Sequence, residues 1–193
     1  MGARVSHSPQ NNVVFERGPF VHELPSIDED GVRMLEHAPS RVRFLAACNG
    51  FVVSGIHRYD KPGLNVSVRY VAGGSTMVSV YVFPFDPPRT SEHADEVFSV
   101  AMADMLAVGD EPKAYHEQAV AFAHATRGLV LGRRCEARGR VFRNNTRLGF
   151  GLVELFTWGA WMLKIRATSD LAASLDVEAF LSSWFMASTL GVR

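Results

Sequence analysis

The sequence predicts an α+β domain: an antiparallel sheet from two β-meanders, in the order βββ–αα–βββ–α, packed with helices. Three observations carry that expectation. Leu64 to Pro84 alternates apolar and polar residues around a glycine-rich turn. A second set of alternating segments runs from Leu129 to Thr168. Stretches after each set repeat apolar residues at helical spacing instead.

Residues 1–39 read as an N-terminal extension, polar and without periodicity over its first 12 residues. Ser26 and Glu29 are spaced as a capping box, which predicts a short helix to about His37, ended by Pro39. One domain is expected over 40–193. Arg41 to Ala47 is a short apolar run that period alone does not assign. Phe51 to Tyr59 is rich in β-branched and aromatic residues and reads as a strand. Lys61-Pro62-Gly63 supplies a turn, with proline setting φ and glycine taking a positive φ.

In the hairpin, Leu64, Val66, Val68 and Tyr70 share one face and Asn65, Ser67 and Arg69 the other. Ala72-Gly73-Gly74-Ser75 turns the chain. Thr76 to Phe83 is apolar on both parities, which suits a central strand. Pro84, Pro87 and Pro88 stop the pairing, since proline has no N–H to donate.

Thr90 or Ser91 caps a predicted helix whose first turn holds Glu92, Asp95 and Glu96, acids that favour the positive end of the helix dipole. Its stripe is Val97, Val100, Ala101, Met105 and Val108, with Gly109 closing it. A second helix is expected from Lys113 to about Arg127, with Tyr115, Ala119 and Phe122 inward and Gly128 as its stop. Beyond it Arg134, Glu136, Arg138 and Arg140 alternate with Cys135, Ala137, Gly139 and Val141, a strand with one wet, charged face. Asn144-Asn145 offers a turn, and Gly149-Phe150-Gly151 suggests a bulge or close packing within the next strand. After a turn at Trp158-Gly159-Ala160, Trp161, Leu163, Ile165 and Ala167 face inward and Lys164 and Arg166 outward. Val177, Phe180, Leu181, Trp184 and Phe185 give the closing helix a broad apolar stripe.

Composition narrows the function classes. Hydrophobic residues make up 47% and charged residues 21% of the 193, which fits a globular chain and not a disordered one. The formal net charge is zero, so no whole-molecule field favours nucleic acid or an anionic membrane. No apolar run approaches a membrane span, and MGARVSHSPQNN lacks the apolar core of a secretory signal. A cytoplasmic location is the expectation, with export if a leader precedes this sequence.

The candidates for chemistry are few. Cys48 and Cys135 allow at most one disulfide and read as two small buried thiols. The seven histidines fall into no HxxxH or HExxH spacing, and no CxxC is present, so no metal site is predicted. No nucleophile elbow or phosphate loop occurs, so no catalytic residue and no cofactor is assigned.

RYDKPGLNVSVRYVAGGSTMVSVYVFP and WMLKIRATSDLAASLDVEAFLSSW resemble an uncharacterised family of proteobacterial proteins. The pattern of short antiparallel meanders and a terminal amphipathic helix is similar to the Mog1/PsbP/DcrB-like α/β/α sandwiches. That resemblance implies a layered fold and a non-catalytic binding or assembly role, and it carries no catalytic residue over.

The feature most suggestive of function is a run of arginines, Arg127, Arg133, Arg134, Arg138, Arg140, Arg143 and Arg147, opposed only by Glu136. On a strand Arg134, Arg138 and Arg140 share a face able to engage carboxylates or phosphates. The competing explanation is a solvated edge-strand face charged to prevent edge pairing. With Trp158 and Trp161 flanking a turn, these arginines form the expected interaction surface of a non-enzymatic binding or assembly protein. Its partner is a protein or a second copy of the chain, nucleic acid being disfavoured. The alternative is a small-ligand binder or unrecognised enzyme with a pocket between sheet and helices, for which His57, Tyr70, Tyr81 and Arg166 are the candidate polar groups.

Overall fold

A computed structural model describes residues 21–24, 33–73, 76–85, 91–107, 114–124, 128–141 and 148–189. Strands β1 (Val21–Leu24), β2 (Met34–His37) and β3 (Val42–Leu45) form a small antiparallel sheet. The main sheet is built from β4 (Ala47–Cys48), β5 (Phe51–Arg58), β6 (Val66–Ala72), β7 (Thr76–Pro84), β8 (Ala114–His124), β9 (Gly128–Val141), β10 (Leu148–Trp158) and β11 (Trp161–Asp170). Helix α1 (Ser91–Leu106) follows β7, and α2 (Ser174–Thr189) follows β11 through a short 3-10 turn. The expected α+β class with an antiparallel sheet is what the chain forms.

The strand order is β4-β5-β6-β7-β11-β10-β9-β8. Each half is a meander of sequence neighbours, and the halves meet where β7 pairs antiparallel with β11. The predicted hairpin is β6–β7, with Val66 opposite Val82 and Ala72 opposite Thr76. The turn before it starts one residue earlier than predicted: the Gly63 N–H donates to the Asp60 carbonyl at 3.2 Å, and Gly63 follows at φ 71°. The glycine bulge also occurs, as a register shift between Gly149 and Phe150.

The two helices lie on opposite faces of the sheet. Val177, Phe180, Leu181 and Trp184 of α2 pack with Val66, Val68 and Tyr70 of β6, Val78, Val80 and Val82 of β7, and Leu163, Ile165 and Ala167 of β11. Phe44 of the small sheet joins that layer, its ring 6.2 Å from Trp184. On the other face Phe98, Ala101 and Met105 of α1 cover Cys135, Ala137, Val153, Leu155 and Met162. A buried aromatic such as Trp184 is worth about 3–5 kcal/mol on truncation, so the α2 layer is the larger source of stability.

Four expectations are corrected. Residues 114–124 form strand β8, not a helix, paired with β9 over its whole length. Its alanines and polar residues fit a helix locally, but Val120 and Phe122 also alternate, and pairing with β9 overrides propensity. Met34–His37 is a strand as well, with Leu35 in the core and the His37 Nε2–H donating to the Gly63 carbonyl at 2.9 Å. Burial lowers the His37 pKa, so the ring serves as a neutral strut between the small sheet and the Gly63 turn. Ser26 to Gly31 lie outside the described residues, as does the Asn144-Asn145 turn. In α1, Phe98 and not Val100 lies inward: Val100 is 58% exposed and Phe98 1%. The charged face of β9 is wet only in part, because α2 covers Arg134 while Arg138 stays exposed.

Cys48 and Cys135 are both buried free thiols. Among the described residues no helix is long and apolar enough to cross a membrane.

Gly132 lies on β9 opposite Phe156, where a Cβ would collide with the Phe156 ring and the Leu155 carbonyl oxygen. Because one of those atoms is backbone, the strands themselves must move. Gly132→Ala should therefore lower stability by about 1–3 kcal/mol in urea titration, whereas Gly55→Ala, where the nearest atom is 3.5 Å away, should cost less.

Candidate functional site

Of the arginines singled out in the sequence, Arg133, Arg134 and Arg138 fall on both faces of β9 and pair with carboxylates within the fold. Arg133 lies on the α1 side, over the Phe98 ring at 4.6 Å, and donates to Asp95 at 2.7 Å and Glu117 at 2.8 Å. Arg134 lies on the α2 side at the centre of four carboxylate contacts. It donates to Glu154 on β10, to both oxygens of Glu178 on α2 at 2.9 and 3.1 Å, and to Glu136 at 3.2 Å. Arg138 donates to Glu136 at 3.0 Å and sits over the Phe150 ring at 5.1 Å. The side chain of Arg140, and Arg127, Arg143 and Arg147 altogether, lie outside the described residues.

Glu154 is the unusual member, 1% exposed, with Arg134 on Oε1 and no hydrogen-bond partner on Oε2. Burial pushes its pKa up to about 7, because Arg134 offsets only part of the desolvation cost and Glu178 and Glu136 add repulsion. The Arg134 guanidinium also pays for burial, more than offset by the charges of Glu154 and Glu178. The cluster ties α2 to the β9–β10 half of the sheet. It engages all three guanidinium nitrogens of Arg134 with carboxylates of the fold.

The two tryptophans separate. Trp158 is 4% exposed, stacked 6.1 Å from Phe122 and edge-on 4.5 Å from His124. Trp161 is half-buried against the edge of His37 at 5.4 Å. Neither is a projecting contact residue.

The four pocket candidates do not converge either. Tyr70 is fully buried under α2, and burial drives its pKa far upward, partly offset by the Trp184 indole. His57, Tyr81 and Arg166 lie on the opposite face, where the register places them together with residues the candidate list lacked. His57 is opposite Ser67, Ser67 opposite Tyr81, and Tyr81 opposite Lys164. Arg69 is opposite Ser79, and Ser79 opposite Arg166.

On this side α1 packs against β9 and β10 and reaches Met162 and Phe83, and among the described residues no helix packs extensively on the rest of β5, β6 and β7. The centre of this face is aromatic and basic. The Tyr59 and Tyr81 ring centroids are 6.1 Å apart, Lys164 Nζ lies 4.5 Å over the Tyr81 ring, and the Tyr59 hydroxyl is 3.2 Å from Ser67 Oγ. Burial lowers the Lys164 pKa, helped by Arg166 and opposed by Asp104 on α1. Burial likewise raises that of Tyr81. Strands β5, β6 and β7 contain no acidic residue. Val52, Val71 and Met77 add apolar surface on the same face, at 51%, 36% and 37% exposure.

Lys164 and Arg166 are legible as outward-facing in the sequence, and Arg69 as the polar parity of β6. What the sequence does not carry is which strands α1 leaves uncovered. Among the described residues no group of three histidine, cysteine or carboxylate side chains is arranged to hold a metal.

Glu154 makes stability depend on pH with a definite sign. Its folded pKa lies above the ordinary 4.5, so the folded chain binds more protons than the unfolded one between about pH 4.5 and 7. This carboxyl thus lowers stability as pH rises through that window, by about 3 kcal/mol in all. Urea titrations at pH 5 and pH 7.5 should show a smaller loss for Glu154→Gln than for the parent chain. An unchanged difference would place the carboxyl's pKa near its ordinary value.

Compared with protein-family models and with curated proteins, the chain matches neither a family model nor a curated sequence.

Proposed function

We propose that this chain is a non-enzymatic binding protein whose partner is an acidic protein segment docked on the open face of β5, β6, β7 and β11. The observation that carries the reading is the grouping of Arg69, Lys164 and Arg166 around Tyr59 and Tyr81, on strands β5–β7 that supply no acid. Carboxylates on a partner would find guanidinium donors there, and apolar partner side chains would find Val52, Val71 and Met77. The resemblance to the Mog1/PsbP/DcrB-like sandwiches, with their binding and assembly roles, favours the same reading.

A single-stranded nucleic acid is the competing occupant of a basic sheet bearing aromatics. Two features favour protein. Lys164 covers one face of the Tyr81 ring and Tyr59 lies 6.1 Å from it, which reduces the ring surface open to a stacking base. The flanking valines and methionine suit aliphatic partner side chains better than ribose and phosphate.

A fluorescently labelled peptide of alternating glutamate and leucine is a suitable probe, read by anisotropy. Binding should weaken several-fold between about 0.05 and 0.3 M salt, as exposed ion pairs are screened. It should be lost in Arg69→Glu/Arg166→Glu with folding intact. Backbone amide shifts should move along β6 and β7 and stay fixed on β9. Binding that survives the double reversal, or shifts confined to β9, would overturn the assignment. Tighter binding of an oligoribonucleotide than of the peptide would replace it with the nucleic-acid reading.

A further inference from the structure

Strand β8 ends the main sheet, and its eleven residues pair with β9 alone among the described strands. Its outer backbone N–H and C=O groups therefore offer a ladder to another strand. Proteins protect such an edge with proline, lysine, a bulge or great shortness. Residues 114–124 have no proline or lysine, and their register with β9 runs without a shift. The one acid, Glu117, is bound to Arg133 at 2.8 Å.

The side chains beside this edge are apolar and exposed. Ala119, Ala121 and Ala123 lie on the α1 side of β8, next to Leu129 and Leu131 of β9, which are 67% and 60% exposed. Helix α1 covers Cys135 and Ala137 and stops short of them. Among the described residues, a strand edge without a second partner strand thus coincides with an apolar patch.

We propose that β8 is a homodimer interface, in which two copies pair β8 with β8 antiparallel across a two-fold axis at Ala119 and extend both sheets into one. The strand is compatible with itself in that register. Glu117 then lies opposite Ala121, His116 opposite Phe122, Gln118 opposite Val120 and Tyr115 opposite Ala123. No like charges face each other, and at the axis on the α1 side Ala119 meets Ala119, so no bulky side chain blocks the pairing.

The other end of the sheet explains why assembly stops at two. There β4 has only two residues, and β5 beyond it carries a register shift between Val53 and Gly55 and ends in His57-Arg58. Such an edge resists pairing, so the open head-to-tail fibre is disfavoured and the closed two-fold pair favoured. This inference is independent of the open face, which lies on the other half of the sheet.

Sedimentation velocity of the full chain should give a mass near twice 21.3 kDa. Ala119→Glu places two carboxylates opposite each other at the axis and should return the mass to that of one chain. Ala119 is exposed beside Arg133 within the protomer, so the fold should persist, as circular dichroism would show. Ala119→Cys should form an intermolecular disulfide on mild oxidation, because directly opposed residues lie within disulfide reach. Val100→Cys, exposed on α1, should not. A monomeric parent chain, a dimer untouched by Ala119→Glu, or a dimer that Ala119→Cys fails to cross-link would overturn the proposal.

Discussion

Every ladder in the main sheet joins strands that are neighbours in sequence except one, the pairing of β7 with β11 from Pro84–Trp161 to Met77–Thr168. Two local meanders become one sheet only through it, and it closes the longest loop of any strand pairing described. Its energetic support is lateral. Val78, Val80 and Val82 of β7 and Leu163, Ile165 and Ala167 of β11 lie under α2, so the ladder and the largest apolar layer form together. Loss of either would leave two hairpin sheets, each with an unburied face.

The same constraint determines where function can reside. With β7 and β11 central, α2 and the small sheet close one face across both meanders. Helix α1 turns away from the meander it follows and covers β9 and β10 of the other. The opposite face is thus half-closed, and the open half carries Arg69, Lys164 and Arg166 beside strands β5, β6 and β7, which supply no acid. The contrast with β9 is physical. Its arginines meet Asp95, Glu117, Glu136, Glu154 and Glu178, and one of those carboxylates is buried at the cost of a raised pKa. At Arg133 and Arg134 the charge density of the sequence marks where the fold consumes arginines in its own ion pairs.

Local alternation was legible wherever one face is buried. Leu64 to Pro84, the inward set Leu163, Ile165 and Ala167, the α2 stripe and the bulge at Gly149 all read correctly because their signal lies within a few residues. Strand β8 did not, since AYHEQAVAFAH has helix-forming composition and receives its strand character from β9. Met34–His37 failed similarly, its identity resting on pairing with β3 and on the His37 contact to Gly63. The candidate surface failed for a different reason. Whether Arg134 is exposed depends on where Glu178, 44 residues later, is carried by α2. The grouping of His57, Tyr81 and Arg166 was half-visible as polar parity, and the openness of their face depends on the path of α1.

Methionine oxidation tests the half-closed face most directly, because two methionines lie on that same side of the sheet. Met77 on β7 is 37% exposed, whereas Met162 on β11 and Met105 on α1 are 1% and 3% exposed in the α1 layer. Brief treatment of the folded chain with hydrogen peroxide, mapped by peptide mass spectrometry, should oxidise Met77 well before Met162 and Met105. Equal protection of Met77 and Met162 would mean that something covers the open face, and the proposed docking surface would be wrong.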